Sequence, residues 1–60
     1  MSALQAKLER FEILANECEL IASRTLDGGN RELYQRLGGH YRELATDMKS
    51  VIATIDSTAA

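Results

Sequence analysis

The four residues Asp27-Gly28-Gly29-Asn30 stand between two runs whose apolar side chains recur at helical spacing. Adjacent glycines disfavour helix, and Asn is a good helix cap, so the tetrad reads as a turn between two helices. On this reading one glycine takes the left-handed conformation that closes a helix, and Asn30 opens the next, with Glu32 in its first turn and paired to Arg36. The signals predict helices over about 3–26 and 31–56 joined by a turn over 27–30. So short a connection folds the helices back on each other. The expected fold is all-α, a single-domain antiparallel two-helix hairpin spanning residues 1–60. Ser2 is the expected first N-cap, and a small polar tail from Ser57 to Ala60 is expected to fray.

Working outward from the turn, residues at about 100° per step form a stripe in the first half. It comprises Leu4, Leu8, Phe11, Leu14 or Ala15, Cys18, Ile21 or Ala22, and Thr25. In the second half Tyr34, Leu37, Tyr41, Leu44, Met48, Val51 and Ile55 alternate gaps of three and four, the mark of a heptad seam. Folded about residues 27–30, the stripes pair Leu4 with Ile55, Leu8 with Val51, Phe11 with Met48, Leu14 with Leu44, and Cys18 with Tyr41. In this register an Asp at Leu14 or Leu44 would unfold the hairpin. Gly38 and Gly39 interrupt the pattern, each costing about 0.8–1 kcal/mol relative to Ala in a helix. They read either as a bend or break that leaves a short extra helical segment before the last helix, or as a close approach by a partner's backbone.

A second line of apolar residues, Ala6, Ile13 and Leu20, lies opposite the first stripe, seven residues apart among Glu9, Arg10, Asn16, Glu17 and Arg24. One neighbouring helix covers only one side, so this line is a candidate partner-binding surface, and a groove built for a helix would accept it. Tyr34, Ala45 and Ile52, at the edge of the second stripe, would widen it. Small size points the same way, because a 60-residue chain with one cysteine has neither the core nor the staple for comfortable stability alone.

Several functions find little support. Cys18 has no partner for a disulfide or metal pair, and His40 has no neighbour at ligand spacing, so no metal or cofactor is expected. A single His without a nucleophile or carboxylate pair in a cleft is no catalytic constellation, so no enzyme is expected. The net charge of −2 and the scattered Lys and Arg residues offer no stripe for a phosphate backbone, so no nucleic-acid partner is expected. No apolar run approaches the ~20 residues of a membrane span, and no signal peptide is evident. A free cysteine on an apolar stripe suits a reducing cytoplasm.

In the turn, Gly28 and Gly29 are followed, after four residues, by Tyr34 and Gln35, and a final amphipathic helix carries Leu44, Val51, Ile52 and Ile55. With the early Leu4 and the first helix ending before the glycines, this pattern resembles the small E-type co-chaperones of the bacterial type III secretion needle protein, of the Ysc, Psc and Asc systems. The Gly38-Gly39 pair departs from that pattern. The resemblance implies a cytoplasmic protein that binds a larger, all-helical chaperone of tetratricopeptide-like repeats. Together the two would keep the needle subunit monomeric in one complex before export. The chain's small size leaves self-association open when that partner is absent. The other reading of a heptad hairpin is a homodimeric four-helix-bundle regulator that binds RNA or inhibits a protein.

Overall fold

Helix α1 spans Ala3–Arg24 and helix α2 spans Gly28–Ala59, in a computed structural model that describes residues 2–59 and the side chains of 2–55. Glu12 of α1 meets Lys49 of α2 and Glu19 meets Arg42, so the helices run antiparallel as a two-helix hairpin. No strand occurs among the described residues. Ser2 starts α1 as expected: it is extended, with φ −79° and ψ 161°, and its Oγ accepts a hydrogen bond from the Gln5 amide at 3.1 Å.

The turn lies earlier than the glycines suggest. Thr25 leaves the helix in extended conformation, its amide donating to the Ala22 carbonyl at 3.3 Å and its Oγ1 to the Ile21 carbonyl at 2.6 Å. Two of the carbonyls orphaned at the end of α1 are thereby satisfied without a left-handed residue. Asp27 sits just before α2, and its carbonyl accepts from the Arg31 amide at 2.9 Å. An Asp there favours the positive helix end. Arg31 then reaches back, donating from Nε at 3.1 Å and Nη2 at 3.0 Å to the Thr25 carbonyl, and straps the turn shut. Gly28, Gly29 and Asn30 therefore form the first turn of α2 instead of the connection, and no glycine has positive φ. The expected Glu32–Arg36 pair is not formed among the described residues.

Moving the turn moves the register. The Phe11 ring stacks on Tyr41, centroids 6.1 Å apart and planes at 26°. Gly38 packs against Cys18, where the expected pairing sets Tyr41. The seam runs at heptad spacing, Leu8, Ala15 and Ala22 from α1 against Gly38, Ala45 and the half-buried Ile52 from α2, with Cys18, Tyr41 and Met48 between, and its most buried positions are mostly small. Ala15 is 0% exposed, and Ala22 and Ala45 are each 3% exposed. Helix separation is set by the side chains at the contact, so a small-residue seam lets the backbones come close. Leu37, Leu44 and Val51, placed in that seam, would hold the helices apart. They lie on its flank instead.

Gly38 explains itself here. A Cβ on it would stand 3.3 Å from Cys18 Cβ and 3.5 Å from the Ala15 carbonyl oxygen, so the close approach is made by α1 of the same chain. Neither a break nor a separate short helix occurs, since α2 passes unbroken through Gly38 and Gly39 and continues to Ala59, past the expected end near 56. Ser57 to Ala59 lie within α2, and Ala60 lies outside the described residues. Thr46, Ser50 and Thr54 each bond the carbonyl four residues back, which keeps their hydroxyls compatible with the helix.

The two glycines should part company on substitution. A Cβ on Gly39 meets nothing within 4 Å, so Gly39→Ala should stabilise the hairpin by about 0.8–1 kcal/mol. Gly38→Leu overfills the seam and should destabilise by about 1–3 kcal/mol. Urea unfolding followed by circular dichroism reads both. Equal shifts of the same sign would contradict the close approach.

Candidate docking surface

The hairpin has two unlike broad sides. On one side Arg42 pairs with Glu19 and donates to Asn16 Oδ1 at 3.1 Å, and one step along Lys49 pairs with Glu12 at 3.4 Å. These groups bridge the helices in solvent and are individually worth little. Helical geometry sets Leu14 and Ile21 of α1, with Leu37, Leu44, Val51 and Ile55 of α2, on the opposite side. Leu14 is half-buried, and the other five are 42 to 49% exposed. Between them, Phe11, Leu14 and Tyr41 floor a shallow groove edged by Lys7 and Arg10. Scattered single apolar residues are ordinary on a surface, but six aligned on one side form a patch of the kind that marks an interaction site.

The dimensions agree. The chain measures 49 × 16 × 12 Å with a radius of gyration of 14.3 Å, against about 10 Å for a compact domain of this length. It is one helix thick, so the apolar side has no second layer over it.

Of the residues expected to bind a partner, Ala6, Ile13 and Leu20 are exposed on the outer side of α1, Ile13 at 55% and Leu20 at 50%. Tyr34, at 36%, lies at the seam's turn end. Ala45 requires correction: it is buried against α1, and Ile52 is half-buried beside it at the seam, because α2 turns this face to α1. The larger open surface belongs instead to the residues expected to form the seam, Leu37, Leu44, Val51 and Ile55. The missed signal was the 38-45-52 spacing of Gly, Ala and Ile, which mirrors Leu8, Ala15 and Ala22 on α1.

Other chemistry is sparse. Cys18 is free and buried, and His40 is exposed. Among the described residues no group of three His, Cys, Asp or Glu side chains could hold a metal ion, and no helix is long and apolar enough to cross a membrane. Compared with family models, curated proteins and solved structures, the chain matches none of them.

Proposed function

We propose that this hairpin is a non-enzymatic, cytoplasmic co-chaperone that docks on a larger helical-repeat chaperone and helps keep a type III secretion needle subunit monomeric before export. The observation that supports a protein-binding role is the broad apolar side of Leu14, Ile21, Leu37, Leu44, Val51 and Ile55, which the hairpin's own fold leaves open. The choice of partner rests on the resemblance carried by Gly28, Gly29, Tyr34, Gln35 and the apolar final helix. The concave groove of such a repeat protein would take the needle subunit's helix, and the hairpin's apolar face would dock on the same protein as amphipathic helices dock on apolar surfaces. Ala6, Ile13 and Leu20 add a second line of contact on the outer side of α1. A needle subunit that polymerises through an amphipathic helix needs that helix covered until export. In this arrangement the hairpin's part is to stabilise the large chaperone that covers it.

Native mass spectrometry of the complex that co-purifies with the tagged chain tests this reading. Expected is an assembly of one hairpin with one all-helical repeat protein and a small needle-like subunit. Recovery of the chain alone, or bound to RNA, would overturn it.

A further inference from the structure

We infer that a second copy of this chain covers the broad apolar side when no other partner does, in a twofold dimer that sets α1 of each protomer on α2 of the other. The inference uses the docking face and is independent of the secretion reading. Surface area supports it first. The chain exposes 4564 Å², whereas a folded monomer of its 6.6 kDa mass exposes about 3,900 Å². The excess, roughly 700 Å² per chain, is close to the ~800 Å² that each partner buries in an interface of ordinary size. Two hairpins stacked on this side form a four-helix bundle, which supplies the missing layer.

Charge chooses the arrangement. With the twofold axis parallel to the helices, heights are kept, and α1 lies antiparallel to the other copy's α2 in the register it has with its own. The outer rim of α1 then carries Arg10, Glu17 and Arg24 in order, and the facing rim carries Glu43, Arg36 and Glu32 within about one helical turn of the same levels. Base meets acid, acid meets base, and base meets acid again, as flanking charges do in paired helices. Among the described residues none of these six forms an ion pair within the chain, so all are available. An axis perpendicular to the helices, through the middle of α2, would instead bring Arg10 and Glu43 each against its own symmetry copy.

Sedimentation equilibrium of the isolated full chain over a dilution series tests both points. Expected is a species of twice 6.6 kDa that dissociates on dilution. A mass of 6.6 kDa throughout would overturn the inference, and would leave the proposed function standing if that chain still joins the helical-repeat chaperone. Arg10→Glu should weaken self-association about tenfold or more, and Arg10→Glu with Glu43→Arg should restore it. Both positions are exposed, so circular dichroism should stay native in each variant. An unchanged dimer in Arg10→Glu, or no recovery in the double variant, would overturn the α1-on-α2 arrangement.

Discussion

Ala15→Asp should abolish the folded hairpin. Ala15 is 0% exposed, and its carbonyl oxygen lies 3.5 Å from where a Cβ on Gly38 would stand, so an aspartate has neither room nor water there. Burying an unpaired carboxylate costs several kcal/mol, and a scaffold of this size rarely has more than about 3–5 kcal/mol to lose. The far-UV helical signal and the cooperative thermal transition of the isolated chain should both be largely lost. Ile13→Asp, two residues away but 55% exposed, should leave them nearly intact. A cooperative melt for Ala15→Asp near that of the parent would refute the small-residue seam.

The opposite outcome is expected for Leu44→Asp combined with Val51→Asp. Both side chains are nearly half exposed on the broad apolar side, so the two charges remain hydrated and the helices should persist. Binding to the proposed helical-repeat partner should weaken at least about thirtyfold, the scale of losing central apolar anchors. Titration calorimetry with the purified chaperone measures this, with circular dichroism as the fold control. Parent-like affinity would remove this side as the docking face. Should Ile13→Asp with Leu20→Asp abolish binding instead, contact lies along the outer stripe of α1.

The hairpin itself was legible in the chain because helix spacing and a central interruption suffice to define it, and the small-residue alternatives Ala15 and Ala22 were already within the α1 stripe. The phase of α2 was harder to read. Leu37, Leu44 and Val51 form a heptad that ranks above Gly38, Ala45 and Ile52 by hydrophobicity, yet the weaker series makes the seam because close packing rewards small size at a contact. The turn misled for a related reason: Thr25 and Asp27 end and begin helices through their own side-chain and backbone bonds, so the conspicuous glycines were not needed for it. That displacement carried the register with it. The open apolar side is consequently legible in the sequence as apolar but not as open, while the Ile13 and Leu20 stripe is legible as uncovered.

The strap from Arg31 to Thr25 bears on how quickly the chain folds. It joins residues only 6 apart, whereas the Glu19–Arg42 pair spans 23 and the Asn16–Arg42 bond 26. Closing the short loop first makes each later contact a small further closure, so assembly zips from the turn toward the two termini. Such a low-contact-order route belongs to the microsecond to millisecond range. It also assigns the kinetic consequences of change by position. Weakening the turn slows folding, and weakening the far end mainly speeds unfolding.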